Sequence, residues 1–133
     1  MPFTNDELDV SFVYGEEKVE LDTPLVYIIP ENFSYPALRA LSVIAPEGFV
    51  SDLASIPKVA QVIFSKLGKH RRAAVIHDHL YYTGHYTKQI SDLIFLYAMK
   101  DDSVNIIKRR LMYHAVKYGG YFAWKNHRKR DEA

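Results

Sequence analysis

The sequence predicts an α+β fold, with an N-terminal antiparallel sheet followed by about four helices that include an antiparallel helix pair. Short β-favouring segments over residues 9–50 predict the sheet, and apolar residues at helical spacing over residues 55–120 predict the helices. No linker or low-complexity segment separates the two halves, and a length of 133 residues suits one domain. We therefore expect a single domain spanning residues 1–133, in which the strands precede the helices.

The strands are predicted by runs of β-favouring residues that turn residues separate. These runs are DVSFVY, KVEL, PLVYII, ALSVIA and GFV. Gly15 and Glu16 offer a turn between the first two runs, Pro30 ends the third, and the segment APEG offers a turn between the last two. The segment ENFSYPALR, which contains Pro36, is predicted to be a loop.

Helix start and stop signals predict the first three helices. The first is SIPKVAQVIFSKLG, with Ser55 as its N-cap and Gly68 as its stop. The second is RRAAVIHDHLYY, which the breaker TGHY ends. The third, TKQISDLIFLYAMK, begins at Thr87.

The last predicted helix contains NIIKRRLMYHAVKY. Ser103 is its expected N-cap, and the glycine pair Gly119 and Gly120 is its expected C-cap. Beyond it, the basic segment 125–133 carries KNHRKR followed by acidic residues, which is typical of a solvated end that frays.

The composition excludes several classes of protein. Seventeen basic and sixteen acidic residues give a formal net charge of +1, so any binding of nucleic acid or anionic membranes has to be local. The absence of cysteine excludes disulfides and cysteine-ligated zinc and fits a reducing cytoplasm. The longest apolar run, Leu93 to Met99, is far shorter than the roughly 20 residues that span a bilayer. The start of the chain has no signal-peptide profile, and we expect no specific nucleic-acid partner and no transmembrane segment.

Polar residues interrupt the apolar helix AAVIHDHLYY, residues 73–82. His77 and Tyr81 lie four residues apart and share one face, and alanines on the preceding turn leave access to the imidazole. Asp78 points about one hundred degrees away from His77. His79 is expected to face away from His77, toward the surface. His77 and Asp78 are therefore the candidates for chemistry on this helix.

The next helix carries the carboxylate of Asp92 inside the apolar stretch ISDLIFLYAM. A buried carboxylate needs a partner. His77 lies five residues before the expected helix end at Tyr82, and Asp92 lies five residues after the expected helix start at Thr87. If a four-residue loop joins two antiparallel helices, both residues lie about 7–8 Å along the axes from the turn. We therefore expect His77 and Asp92 to be level with each other.

A level histidine–carboxylate pair has more than one interpretation. Asp92 can accept one imidazole N–H of His77 and leave the other nitrogen as a general base for water. Alternatively, the same groups form a buried polar network that only fixes the packing of the two helices, with Asp92 favouring the helix N-terminus electrostatically. A triad with Ser55 as nucleophile is a further arrangement, although Ser55 suits an N-cap and lacks a nucleophile-elbow sequence.

Two other carboxylates suggest a cation site. Asp78 lies beside His77 in the sequence, and Asp52 in GFVSDLASIP precedes the first predicted helix, where a compact fold brings it close. Carboxylate and carbonyl oxygens bind hard cations, so calcium is the expected divalent cation and magnesium the second choice. Loop carbonyls around Gly48 would complete the coordination.

The string HDHLY resembles the H-D-x-x-Y helix motif of the calcium-dependent secreted phospholipases, and SDLIF is similar to the second helix of their viral capsid relatives. The resemblance covers two helices. It implies that His77 activates water, that Asp78 binds calcium, that Asp92 holds His77 and that Tyr81 supports this pair.

A second resemblance covers roughly residues 20–124. The segments GFVSDLASIP, AAVIHDHLY, SDLIFLYAM and VKYGGYFAW, in this order, resemble an uncharacterised phage and prophage family whose members carry F-V-T-D-L-A-S-I-P and A-A-x-x-H-D-Y-L-Y. This resemblance implies a phage origin, with either a part of the virion or an envelope-directed enzyme as the function.

Two hypotheses of different classes follow. The first is a phage-encoded hydrolase that uses His77 and Asp92 to activate water against an ester or amide of the cell envelope. The second is a non-enzymatic virion or tail component whose partners are other virion proteins. In both cases we expect synthesis in the host cytoplasm without a signal peptide, and incorporation into the virion is compatible with either.

Overall fold

The computed structural model of the chain describes residues 3–4, 8, 10–12, 18–51 and 69–132. Within these ranges, strands come first and helices follow, which confirms the predicted α+β fold. The strands are β1 (Val10–Phe12), β2 (Val19–Leu21), β3 (Leu25–Ile28), β4 (Ser42–Ala45) and β5 (Val50–Ser51). A short 3-10 helix, Pro36–Leu38, lies within the predicted loop between β3 and β4.

The described strands form two antiparallel sheets, whereas the sequence predicted one. One sheet has the order β1-β2-β5, and the other pairs β3 with β4. The predicted turn APEG explains the difference because it joins the two sheets. The N–H of Gly48 donates to the Leu21 carbonyl (2.8 Å), and the N–H of Leu21 donates to the Phe49 carbonyl (3.0 Å), so the chain leaves β4 and pairs with β2. Gly48 has a φ of +84°, a left-handed conformation that glycine adopts without strain.

The helices within the described ranges are α1 (Arg71–Thr83), α2 (Lys88–Asp101), α3 (Ile106–Gly119) and α4 (Tyr121–Glu132). The first three of these match the second, third and last predicted helices. The first predicted helix, from Ser55 to Gly68, and the predicted turn at Gly15 lie outside the described residues. None of the helices in the described ranges is long and apolar enough to cross a membrane.

The start of α3 and the C-terminal segment differ from the prediction. The N-cap of α3 is Asn105, whose side chain accepts from the Ile107 N–H, and Ser103 instead has a φ of +61° in the turn before it. The segment predicted to fray is helical in α4 through Glu132. The Arg128 guanidinium donates to the Tyr81 carbonyl at the end of α1 (2.8 Å), a contact that charge patterning alone does not reveal.

The helices α1 and α2 pack as an antiparallel pair. Arg72 near the start of α1 pairs with Asp102 just after α2, and His77 further along α1 pairs with Asp92 near the start of α2. The Tyr27 hydroxyl of β3 donates to the Asp101 carboxylate (2.7 Å) and so joins the sheet to this helix pair. The core lies between the helices and β3–β4, and its fully buried members include Leu25, Ile29, Phe33, Ile76, Ile94, Phe95 and Met99.

Candidate functional site

The turn between α1 and α2 determines which residues of the two helices lie beside each other. Gly84 caps α1 with a φ of +62°, and its N–H donates to the Leu80 carbonyl (3.0 Å). The Thr87 side chain caps α2 by accepting from the Ile90 N–H (3.2 Å). A short connection with both ends capped brings the last turns of α1 beside the first turns of α2.

Three side chains converge on the Asp92 carboxylate. The His77 Nε2 lies 2.7 Å from Asp92 Oδ1, and the Tyr81 hydroxyl donates to the same oxygen at 2.7 Å. The Lys88 ammonium donates to Oδ2, also at 2.7 Å. The predicted pairing of His77 with Asp92 is therefore present, and Tyr81 joins it; their chemical roles stay predictions. We call these four residues the Asp92 network.

The Asp92 network holds its carboxylate in the ionised form. Burial acts to raise the pKa of Asp92, but the hydrogen bond and charge of His77, with the bonds from Lys88 and Tyr81, outweigh burial and hold that pKa below its usual range. Burial and the neighbouring Asp92 charge raise the pKa of the Tyr81 hydroxyl, which stays a donor. Because an ionised carboxylate only accepts, the His77 Nε2 carries the proton in their hydrogen bond.

The His77 ring is enclosed by aromatic rings of both helices. Its side chain is 0% exposed. The ring centroid lies 4.3 Å from that of Tyr81 on α1 and 4.6 Å from that of Phe95 on α2. Packing therefore fixes the orientation of the imidazole, as it does for the carboxylate beside it.

Lys88 is a member of the network that the sequence analysis missed. Besides Asp92, its ammonium donates to the carbonyls of Val116 (3.0 Å) and Lys117 (3.1 Å) in the last turn of α3. Lys88 thus neutralises part of the Asp92 charge and adds a donor to carbonyls in the last turn of α3, where the Val116 carbonyl also accepts from the Gly120 N–H. The four-residue spacing from Lys88 to Asp92 on one helix was the available signal.

A pocket of about 220 Å³ opens on the lysine side of Asp92. Polar and aromatic groups of α2, α3 and α4 surround it. The lining residues are Lys88, Gln89, Asp92, Tyr113, Lys117, Tyr121 and Trp124. The pocket therefore meets the network at Asp92 and Lys88, and His77 is not one of its lining residues.

Asp78 faces a different part of the molecule from His77, as the helical spacing predicted. The Ser51 hydroxyl at the end of β5 donates to Asp78 Oδ2 at 2.7 Å, a partner that the sequence analysis did not identify. Asp78 lines a pocket of about 250 Å³ together with Lys18, Phe49, Val50, Tyr82 and His127. The other candidates, Asp52 and Ser55, lie outside the described residues.

His79 lies half-buried rather than at the surface. Its ring meets the edge of Phe49, with centroids 5.0 Å apart. Burial lowers the pKa of His79, and the nearby Asp78 charge only partly opposes this shift. His79 therefore joins α1 to the segment that leads into β5.

The comparisons with known proteins place this site in a family. No curated protein and no solved structure matches the chain significantly. One protein family matches residues 27–116, more than half of the chain, and this range contains the whole Asp92 network together with Ser51 and Asp78. The chain therefore belongs to the family described as protein of unknown function (DUF1353).

Proposed function

We propose that the protein is a hydrolase in which His77 activates water and Asp92 orients His77. The observation that carries this proposal is the double hydrogen bond on Asp92 Oδ1, which accepts from the His77 Nε2 and from the Tyr81 hydroxyl at 2.7 Å each. This arrangement fixes both the tautomer and the ring orientation of a histidine, which is what a general base requires.

The chemistry follows from the tautomer. With the proton of the imidazole on Nε2, the lone pair lies on Nδ1 of His77. Because the ring is 0% exposed, catalysis requires Nδ1 to be opened to water. Nδ1 then takes a proton from water while the water oxygen attacks a carbonyl carbon, and the proton passes to the leaving alcohol or amine as the bond to the carbonyl breaks. Asp92 stays ionised throughout and stabilises the imidazolium that forms.

The substrate class in this proposal is an ester or amide of the bacterial envelope, and the protein is phage-encoded. Both parts rest on the resemblances of HDHLY to a phospholipase helix motif and of GFVSDLASIP and AAVIHDHLY to a phage and prophage family. The roles of His77, Asp92 and Tyr81 in this mechanism are those that the phospholipase resemblance implies.

The described residues do not fit a calcium site. Asp78 shares its pocket with Lys18, whose positive charge opposes a divalent cation. Within the described ranges, no group of three His, Cys, Asp or Glu residues could hold a metal ion, and Asp52 lies outside them. The mechanism above therefore contains no step that uses a cation, and calcium dependence stays a prediction to be tested with and without a chelator.

The complete burial of His77 favours a second candidate function. A ring that is 0% exposed between Tyr81 and Phe95 is suited to hold two helices together. In this case the protein is a non-enzymatic virion or tail component, and the Asp92 network only fixes the packing of α1 on α2.

The test compares His77→Ala with a matched control, His85→Gln, which changes an exposed histidine in the α1–α2 turn. Full-length proteins are incubated with phosphatidylglycerol vesicles, phosphatidylethanolamine vesicles and purified peptidoglycan, and released fatty acids or fragments are quantified. If His77 is the base, His77→Ala lowers the rate by about 10²–10⁴-fold, and the control keeps the wild-type rate.

The same protein samples distinguish the hydrolase from the structural function. If the wild-type chain releases no product from any of the three substrates, and His77→Ala lowers the free energy of unfolding, the structural function is correct. If His77→Ala retains the wild-type rate, the hydrolase proposal with His77 as base is wrong.

A further inference from the structure

The solvent-facing side of α3 carries a row of apolar side chains. Ile107, Leu111 and Tyr118 are 68%, 55% and 71% exposed. Their spacing of four and seven residues places them on one side of the helix, opposite the buried Met112 and Val116. We call Ile107, Leu111 and Tyr118 the apolar ridge.

Basic side chains border the apolar ridge on both sides. At about 100° per residue, Lys108 falls on one side of the ridge and Arg110 and Lys117 fall on the other. All three are exposed. The sequence of α3 contains a further arginine and no acidic residue. The exposed His114 lies within the same arc, and its ring stacks on that of Tyr118 with centroids 6.0 Å apart. The centre of the face is thus mainly apolar, and its borders are positive.

Two further exposed aromatic residues follow the end of α3. After Gly120, α4 begins with Tyr121 and Phe122, which are 55% and 77% exposed. Aromatic residues and long cationic side chains together are typical of surfaces at a membrane interface, where rings lie among the head groups and cationic heads reach the phosphates.

We propose that the apolar ridge and its basic borders dock on an anionic membrane surface. The chain has a net charge of only +1, so attraction to such a surface has to come from local groups, and the basic borders of the apolar ridge supply such groups. A second copy of the chain fits this face less well, because a two-fold interface would bring the basic borders of both copies together. This proposal goes beyond the proposed function and does not depend on it.

The experiment is co-sedimentation of the full-length chain with vesicles. One set contains phosphatidylglycerol and phosphatidylcholine, and the other contains phosphatidylcholine alone. We expect the wild-type chain to sediment with the anionic vesicles, to remain in solution with the neutral vesicles, and to be released from the former as the salt concentration rises.

Two triple variants test the two parts of the surface. Ile107→Gln with Leu111→Gln and Tyr118→Gln removes the apolar ridge, and we expect about tenfold or greater loss of partitioning. Lys108→Gln with Arg110→Gln and Lys117→Gln removes the basic borders, and we expect roughly a hundredfold loss at low salt.

Matched control variants change the same residue types elsewhere. Ile44→Gln replaces an exposed apolar residue of β4 (53% exposed), and Lys100→Gln replaces an exposed lysine near the end of α2. We expect both controls to partition as the wild-type chain does. Far-ultraviolet circular dichroism of every variant checks that the helices are retained.

Several results would overturn the proposal. Wild-type binding to neither vesicle set would do so, as would equal binding to both. Retention of binding by the folded ridge variant would show that the apolar residues are not used. Light scattering that finds a wild-type dimer and a monomeric ridge variant would assign the face to a second copy. Capture by polyglutamate with no dependence on the ridge would assign it to an acidic protein.

Discussion

Asp92 is buried and yet ionised, and its neighbours explain how. Each of its oxygens accepts at least one hydrogen bond, and the lysine among its partners is 10% exposed at the edge of a pocket. A buried carboxylate without such partners would be protonated at neutral pH or would destabilise the fold. The hydrogen bond between His77 and Asp92 therefore contributes both to the ionisation of Asp92 and to the stability of the helix pair.

Asp92→Asn tests this link through the pH dependence of stability. Because the carboxylate accepts from charged and neutral donors, we expect its loss to lower the free energy of unfolding at pH 7 by roughly 2–4 kcal/mol. The pKa of Asp92 lies below its ordinary value of 3.8, so the stability from the ionised form is present above that value and is lost as the pH falls through the folded pKa. The difference between wild type and variant, measured by urea unfolding, should shrink below about pH 4. A difference that is constant with pH would contradict this prediction.

His79 makes a second, separate prediction at higher pH. The pKa of His79 is lowered below its ordinary value of 6.5, so the unfolded chain binds a proton first as the pH falls. The stability that the neutral ring contributes is therefore lost progressively from about pH 6.5 down to the folded pKa. We expect His79→Gln to flatten the pH dependence of the free energy of unfolding in this range, as measured by urea unfolding, and an unchanged pH dependence in the variant would contradict this prediction.

The pairing of His77 with Asp92 was predictable because both positions can be counted from helix ends that the sequence marks. The contacts of Lys88 with the end of α3 were not, because they depend on how a third helix packs. The Ser51–Asp78 bond was hidden for the same reason, since it joins a strand to a helix. Local spacing thus predicted the pair, and tertiary packing supplied its other partners.

At the scale of elements, the helix ends show where propensity gives a wrong boundary. Ser103 is a good N-cap residue, but it lies in a left-handed turn, and the next polar residue, Asn105, caps α3 instead. The Met99 carbonyl accepts from the Val104 N–H (2.9 Å), which closes α2 through this turn and moves the start of α3. The turn between the two helices therefore decides that Asn105, and not Ser103, caps α3.

Because Asn105 rather than Ser103 caps α3, substitutions at these two positions should have opposite effects on the free energy of unfolding. Asn105→Ala removes the side chain that accepts from the Ile107 N–H (2.8 Å) and should cost about 1 kcal/mol of stability. Ser103→Gly relieves a left-handed conformation at φ +61° and should be neutral or stabilising by up to about 1 kcal/mol. Thermal unfolding of both variants shows whether each substitution lowers or raises the stability of the fold. Destabilisation by Ser103→Gly with no effect of Asn105→Ala would restore Ser103 as the cap.

At the scale of the whole molecule, the order of strands and helices was predictable, whereas the division of the strands into two sheets was not. Alternation shows that a segment is a strand but does not say which strand it pairs with. The backbone bonds from Gly48 and Leu21 decide the pairing of β5, and they depend on the conformation of one turn. The helical C-terminal segment was missed because its support comes from α1, far away in the sequence.

Gly120 is the position at which three helices meet, because it joins α3 to α4 and touches Tyr81 of α1. A Cβ at this position would lie 2.5 Å from the Val116 carbonyl oxygen and 2.7 Å from the Tyr81 hydroxyl. Because Asp92 holds that hydroxyl in place, the added carbon has to displace either the end of α3 or the network itself. Glycine is therefore required here for close approach, and its φ is not in the left-handed region.

We expect Gly120→Ala to lower the free energy of unfolding by about 1–3 kcal/mol, in the range that overpacking costs. Gly119→Ala is the matched control: it adds the same carbon at an exposed helical position, where alanine should be neutral or stabilising by up to about 1 kcal/mol. Repeating Gly120→Ala in a Tyr81→Phe background removes the hydroxyl from the clash, so the cost should fall by at least about 0.5 kcal/mol. The same cost in both backgrounds would show that the Val116 carbonyl alone excludes a side chain. A smaller cost would show that the corner between α3 and α4 constrains the Asp92 network through Tyr81.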